Sequence, residues 1–257
     1  MSAENPAAIQ AAFDQAEADG RMKHLMEMQA ALDLSAKDPD AYREMFDPEL
    51  RPYLYRHDDD GPWVLNHPLV QMAWGVFPQQ ANDMLRHKQE MIAKAIADAD
   101  WSKYLWLHER PYRLPKLLYL PSTYDISRKE MRELIRDFWT DTEFPSQHPA
   151  EEIVWLFRHF RPVGDELPVQ FGSTVYRGVR EEHQILGLSW TLSLKKARWF
   201  ARRYGNGAPG FVYETTVRRK NFLAFIPDRG EEEVVLDPAH ITGMRRVSIT
   251  EDVNGQE

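Results

Sequence analysis

The sequence predicts an α+β protein, a helical N-terminal region followed by a domain of short strands around one helix. Two observations carry this expectation. Up to about residue 165 the apolar residues recur at helical spacing between prolines, whereas after Pro168 they fall into short alternating and β-branched runs. The charge changes at the same place. Residues 166–257 hold 13 Lys and Arg against 12 Asp and Glu, so the net charge of −8 comes from residues 1–165, which carry −9.

A chain of 257 residues holds one large domain or two modest ones, and the pattern divides it into residues 1–125 and 126–257. A 43% hydrophobic content with eight Trp supports a packed core. With no cysteine, disulfides, cysteine-ligated metal and thiol nucleophiles are excluded. The acidic balance argues against a generic polyanion binder while leaving room for a local basic patch. MSAENPAAIQ has no basic or apolar signal region, and no stretch reaches the roughly 18 apolar residues of a spanning helix. The expectation is a cytoplasmic protein with no membrane partner.

Residues 5–32, rich in Ala, Met, Glu and Gln, predict a helix interrupted near Gly20. Five prolines between 38 and 77 predict short helices and turns. A helix is expected from Gln79 to Ala99, starting near Pro78, while Trp101–Tyr124 is aromatic, proline-punctuated and unassigned. Ser127-Arg128-Lys129-Glu130 is a capping box ahead of a helix through Trp139. Pro149 suits the first turn of another, whose Ile153, Leu156, Phe157 and Phe160 form one apolar stripe. Strands are expected at Val169–Val179, Leu188–Leu192, Phe211–Val217, Phe222–Ile226, Glu232–Leu236 and Arg245–Ile249. A helix over Leu194–Tyr204 presents Leu194, Ala197, Phe200, Ala201 and Tyr204 on one face, with Lys195, Arg198, Trp199 and Arg202 opposite. Asn254–Glu257 reads as a frayed tail.

Several chemistries lack their motifs. There is no His-Glu-x-x-His and no EF-hand loop, and His57-Asp58-Asp59-Asp60 has no spaced second ligand set, so no metal is expected. Phosphate-binding loops of the Gly-x-x-x-x-Gly-Lys and Gly-x-Gly-x-x-Gly kinds are absent, as is a Gly-x-Ser-x-Gly elbow. Three segments remain. In Val175-Tyr176-Arg177-Gly178, Arg177 is a planar cation suited to phosphate, beside a glycine that lets a ligand approach the backbone. In Gly187-Leu188-Ser189-Trp190-Thr191, alternation puts Ser189 and Thr191 on one face and Trp190 on the other. In Glu231-Glu232-Glu233-Val234-Val235-Leu236-Asp237-Pro238, it puts Glu231 and Glu233 together with Glu232 pointing away. A cation, a hydroxyl and two carboxylates in one cleft suit a cationic sugar transition state.

The ordered set resembles the arginine–serine–glutamate branch of the ADP-ribosyltransferase fold, typified by cholera-like, clostridial and arginine-directed mono-ADP-ribosyltransferases. The likeness covers about 90 residues, or 130 with the helices from Ser127 on. Trp139-Thr140-Asp141-Thr142-Glu143 adds a likeness to uncharacterised phage and bacterial proteins with this core. The resemblance implies a C-terminal ADP-ribosyltransferase-like split β-sheet domain that takes NAD as substrate, without metal. It implies that Arg177 holds the NAD phosphates or ribose, that Gly178 binds the nicotinamide amide, and that Tyr176 and Thr191 border the site. Ser189 would orient Glu233, which engages the nicotinamide ribose and stabilises the oxocarbenium ion, and Glu231 would serve the acceptor. Phe200 and Tyr204 are candidates for stacking on nicotinamide. Trp190 and Thr191 depart from the family's Ser-Thr-Ser, and a register using Thr191 and Ser193 would put Thr191 beside the glutamate.

The function implied is transfer of ADP-ribose to a macromolecular acceptor, protein or nucleic acid, with NAD hydrolysis as a variant. A toxin or phage–host conflict role, with an inhibitory partner protein, fits by family association. The alternative is a catalytically silent module whose N-terminal region binds a partner. Lys195, Arg198, Arg202 and Arg203 with Trp199 form a basic helix face that would suit a nucleic-acid acceptor.

Overall fold

The computed structural model describes residues 20, 23, 26–56, 58, 61–73, 76–142, 148–203 and 210–248. Most of the expected N-terminal helix, three residues of the acidic turn (His57, Asp59, Asp60), Glu143, Tyr204 and the tail lie outside the described residues. The architecture is mixed α+β with two β-sheets and several helices. By contacts along the chain it divides into two units, Met1–Glu109 and Arg110–Glu257.

In the first unit, α1 (residues 26–37) runs up to Asp38, whose carboxylate accepts from the Ala41 N–H and caps α2 (Pro39–Glu44). The next stretch corrects the expectation of a helical N-terminal region. β1 (Leu54–Arg56), β2 (Trp63–Asn66) and β3 (Gln71–Met72) form a three-stranded antiparallel sheet. Strands of two to four residues are too short for alternation to show between prolines. Tyr42, Phe46, Leu50, Leu54, Leu65 and Leu85 pack into one buried cluster behind it. The Tyr42 hydroxyl donates to the Val76 carbonyl, and burial pushes the phenol up to about 12 against the pull of the Arg56 cation. That guanidinium also lies 4.5 Å over the Trp63 ring. α3 (Pro78–Ala97) begins at Pro78, where a missing N–H costs nothing, and Asp100 caps α4 (Trp101–Leu107).

The second unit begins with α5 (Arg110–Thr123), earlier than the boundary drawn at residue 125. The residues that the sequence left unassigned are therefore two helices, α4 and α5. Pro111 stands in the first turn of α5, and Leu114, Leu117 and Leu120 form its buried stripe. Arg113 of α5 pairs with Asp141 of α6 (Arg128–Asp141) at 2.5 Å, which ties the two helices. The capping box at Ser127 and Glu130 is formed. α7 (Ala150–His159) starts after Pro149, which is its N-cap, and Ile153, Leu156, Phe157 and Phe160 are all buried.

The seven-stranded sheet of this unit uses β4 (Val163–Gly164), β5 (Thr174–Val179), β6 (Ser189–Thr191), β7 (Phe211–Thr216), β8 (Phe222–Ile226), β9 (Glu233–Leu236) and β10 (Arg245–Val247). Their order is β10-β7-β5-β6-β9-β8-β4, antiparallel except for β4 beside β8. The first half of the expected Val169–Val179 strand is not strand, and the two-residue β4 carries no sequence signal. α8 (Leu194–Arg202), capped by Ser193, lies on β5. On one side Val175, Trp190, Val217, Phe225, Val234 and Leu236 form the core; α8 contributes Ala197 and Ala201 to a second cluster with Val212. No described helix is long and apolar enough to cross a membrane.

Asp237 closes β9 and is 4% exposed. Burial alone would raise its carboxyl, but hydrogen bonds from Arg158, His240 and the Ala239 N–H outweigh it and hold the carboxyl below its ordinary value. A group with a lowered folded pKa stabilises fully above its unfolded pKa, about 3.9, and loses that contribution as the pH falls through the folded value. Wild type should therefore lose thermal stability below about pH 4 more steeply than Asp237→Asn, measured as Tm against pH.

Candidate functional site

The three segments singled out in the sequence occupy three neighbouring strands, β5, β6 and β9. Tyr176 stands opposite Thr191, and Thr191 opposite Glu233. Cross-strand partners share a face, so these three side chains line one side of the sheet. Trp190 projects to the other, 1% exposed in the core, with its indole N–H on the Gly187 carbonyl at 2.9 Å. This is the orientation expected for the residue between Ser189 and Thr191.

β5 and β6 share a single register pair, Tyr176 with Thr191. Where the ladder stops, the Arg177 guanidinium takes over. Its Nη1 donates to the Ser189 carbonyl at 2.6 Å, and its Nε and Nη2 donate to the Gln184 carbonyl at 3.2 and 3.1 Å. The Gln184 side-chain oxygen in turn accepts the Arg180 and Glu181 N–H groups. Gly187 lies flat on the guanidinium; a Cβ there would collide with Arg177 Cζ, Nη1 and Nη2. Burial lowers the Arg177 pKa to about 10, and the Glu233 carboxylate opposes that by favouring the charged form. Arg177 thus stays cationic at neutral pH and is electrostatically linked to Glu233. Its hydrogen bonds, however, pin the β5–β6 connection rather than stand open to a phosphate.

The glutamate segment departs from simple alternation. Only Glu233 belongs to β9; Glu231 follows the short 3-10 turn Asp228–Gly230, and Glu232 has φ 50°. A non-glycine residue in the left-handed region costs about 1–2 kcal/mol and persists only where its surroundings dictate it. Three contacts do so. The Thr191 hydroxyl donates to the Glu231 carbonyl at 2.8 Å, the Leu192 N–H donates to the Glu232 carbonyl at 3.2 Å, and Lys196 lies 3.9 Å from the Glu232 carboxylate. Glu231 and Glu233 are therefore not strand neighbours on one face. They stand on either side of a kink, both half-buried, with Glu232 exposed.

From below, the turn is held by a residue that the sequence did not single out. Arg136 of α6 grips Asp228 with Nε and Nη2 at 2.9 and 2.8 Å, and Asp165 beyond β4 with Nη1 at 2.8 Å. The bonds to Asp228 come first in raising the Arg136 pKa, so this cation never titrates in the range of protein stability. Arg136 and Asp228 lie far apart in sequence, and an arginine on an amphipathic helix carries no signal of its partner.

The other predicted residues find mixed duties. The space left by the absent Gly178 side chain is filled by α8, where a Cβ would fall against the Ala197 carbonyl and 2.7 Å from the Ala201 nitrogen. Gly178 thus serves close helix-on-sheet packing. Tyr176 is half-buried against the cluster under α8. Thr191 is 5% exposed, and its hydroxyl also accepts the Ser193 N–H at 3.1 Å, so the alternative register is the one that sets a hydroxyl residue opposite Glu233. Ser189 pairs with Val235, diagonal to Glu233, and its hydroxyl makes no hydrogen bond among the described residues. Phe200 is half-buried with its ring 4.9 Å from Trp199. On the supposed basic face, Lys195, Trp199 and Arg202 are exposed, whereas Arg198 is half-buried and reaches the Ser248 carbonyl.

No protein-family model matches this chain, and neither a curated protein nor a solved structure matches it.

Two substitutions probe the turn. Glu232→Gly removes the left-handed strain and should raise unfolding stability by up to about 1 kcal/mol, read from denaturant melts. Arg136→Gln should lower Tm and speed amide exchange across residues 228–233 while leaving α3 protected, measured by hydrogen exchange.

Proposed function

We propose that the chain is a mono-ADP-ribosyltransferase that uses NAD, built on a C-terminal domain of the ADP-ribosyltransferase-like kind. The observation that carries this reading is the adjacency of β5, β6 and β9, which sets the arginine, serine–threonine and glutamate segments side by side with Thr191 across from Glu233. The electrostatic link between Arg177 and Glu233 supports it further.

In this reading, Glu233 hydrogen-bonds the nicotinamide ribose. The bond between C1′ and the nicotinamide nitrogen breaks with its electron pair leaving on nicotinamide, and the carboxylate stabilises the oxocarbenium ion that remains. An acceptor nucleophile on a macromolecule attacks C1′ and gives up its proton towards Glu231; with water in its place, the product is free ADP-ribose. Ser189, whose hydroxyl is free among the described residues, orients Glu233 from the diagonal position. Thr191 shapes the turn that holds both glutamates. Arg177 supplies positive charge to the pyrophosphate while its hydrogen bonds keep the β5–β6 connection in place. Tyr176, Gly178 and Phe200 border the site, and the reading uses no metal.

A second reading is a silent module that keeps the fold for binding alone. It is favoured by the structural employment of Arg177 and Gly178, which hold a loop and a helix. The two diverge on one measurement, nicotinamide release from NAD by the purified chain. The transferase reading expects release that falls at least about 100-fold in Glu233→Gln while circular dichroism shows the protein still folded, since removing a group aimed at developing charge costs on that order. Equal release in both proteins, or none in either, sinks it. Addition of a cell lysate then separates transfer from hydrolysis by whether label enters macromolecules.

A further inference from the structure

The acidity of the chain is not shared between its units. Residues 1–109 carry 10 Lys and Arg against 19 Asp and Glu, whereas residues 110–257 carry 22 against 21. Within the second unit, cations gather where α7 ends and β7 turns into β8. Arg218, Arg219 and Lys220 form that turn, and all three are exposed. Arg158 reaches it from α7 by donating to the Lys220 carbonyl at 3.1 Å, and Arg161 donates to the Phe222 carbonyl at 2.7 Å. On the other side, Arg132 donates to the carbonyls of Phe160 and Arg161, and Arg128 donates to the His159 carbonyl while lying over the Phe160 ring. A continuous set of contacts therefore joins α6, the end of α7 and the β7–β8 turn into one surface.

The carboxylate that these contacts reach is Asp237. Asp237 is buried and held by Arg158 and His240. Among the described residues, Arg161, Arg218, Arg219 and Lys220 form no ion pair; burial first and repulsion from Arg158 next lower the Arg161 pKa, against a smaller attraction from Asp237. Like charges left facing one another on an acidic chain are relieved by a bound polyanion.

Two aromatic rings stand out of the same surface. Trp155 is 45% exposed and stacks on His159, with ring centroids 4.8 Å apart and an interplanar angle of 14°. Phe171 is 47% exposed, held edge-on by Phe222 and covered on one side by Arg219 at 5.7 Å. Exposed rings interleaved with arginines fit unpaired bases, which stack on π-faces while their phosphates meet the cations. A duplex hides those faces, and an acidic peptide has no use for them.

We propose that the surface formed by α6, the end of α7 and the β7–β8 turn binds single-stranded nucleic acid, with phosphates on Arg161, Arg218, Arg219 and Lys220 and bases on Trp155 and Phe171. This binding is independent of NAD turnover and lies on residues other than those of the glutamate turn.

The test is fluorescence anisotropy of a labelled oligothymidine of about 12 nucleotides with the full chain, between about 50 and 200 mM salt. Binding should weaken with salt. Replacing Arg218, Arg219 and Lys220 together by Glu should lower affinity more than tenfold and flatten the log–log salt dependence by about 2, the share of three phosphate contacts on a single strand. Phe171→Ala or Trp155→Ala should cost severalfold in affinity and leave the salt slope unchanged. Arg219→Gln, a milder exposed change checked by circular dichroism, gives the same direction should the triple variant fold poorly. The proposal is overturned by absence of binding at about 50 mM salt or by a folded triple variant that binds like wild type. It also falls if binding is lost instead on Lys195→Glu with Arg202→Glu, or if polyglutamate displaces the oligonucleotide as well as unlabelled oligothymidine does.

Discussion

A left-handed glutamate in front of β9 is the constraint on which the candidate site depends. Glu232 adopts φ 50° because the chain must leave the 3-10 turn at Asp228 and enter the sheet at Glu233 within a few residues. The cost is met by contacts from separate elements: Arg136 of α6 on Asp228, Thr191 and Leu192 on the Glu231 and Glu232 carbonyls, and Lys196 of α8 beside the Glu232 carboxylate. Such over-determination holds two carboxylates on either side of a kink at fixed separation, an arrangement that straight strand alternation does not supply.

The residues of the candidate site also hold the domain together. Arg177 replaces a stretch of missing ladder between β5 and β6, Gly178 lets α8 sit against the sheet, Thr191 ties the glutamate turn to the start of α8, and Trp190 fills the core. Loss of function after altering Arg177, Gly178 or Thr191 is therefore ambiguous, because each change disturbs packing or main-chain hydrogen bonds first. Glu233 acts on Arg177 through its charge. It opens its strand half-buried, and exchange for Gln preserves its volume while removing the charge.

Charge is partitioned between the units in a way that the net value conceals. A total of −8 suggests an acidic protein, yet the second unit is close to neutral, and among the described residues its Arg161, Arg218, Arg219 and Lys220 form no ion pair. At physiological salt, exposed charges more than about 8 Å apart are largely screened, so the local patch rather than the total governs close encounters.

Much of the architecture was legible because local chemistry dictated it. The capping box at Ser127, the apolar stripe of α7 and the β-branched runs of β7 and β8 are all matters of neighbours within a few residues. The three-stranded sheet of the first unit was not legible, since strands of two to four residues carry no measurable period. Nor was the division of the chain at Glu109, which depends on α5 packing against α6 through Arg113 and Asp141. By itself the sequence determined which residue types were at hand for chemistry: one arginine strand, two hydroxyl residues flanking a tryptophan, and three successive glutamates. Only the tertiary structure decided that Thr191 rather than Ser189 faces Glu233, that Glu231 leaves the strand at a strained turn, and that Gly178 serves a helix. Register and close packing are settled by partners distant in sequence, and no local pattern encodes them.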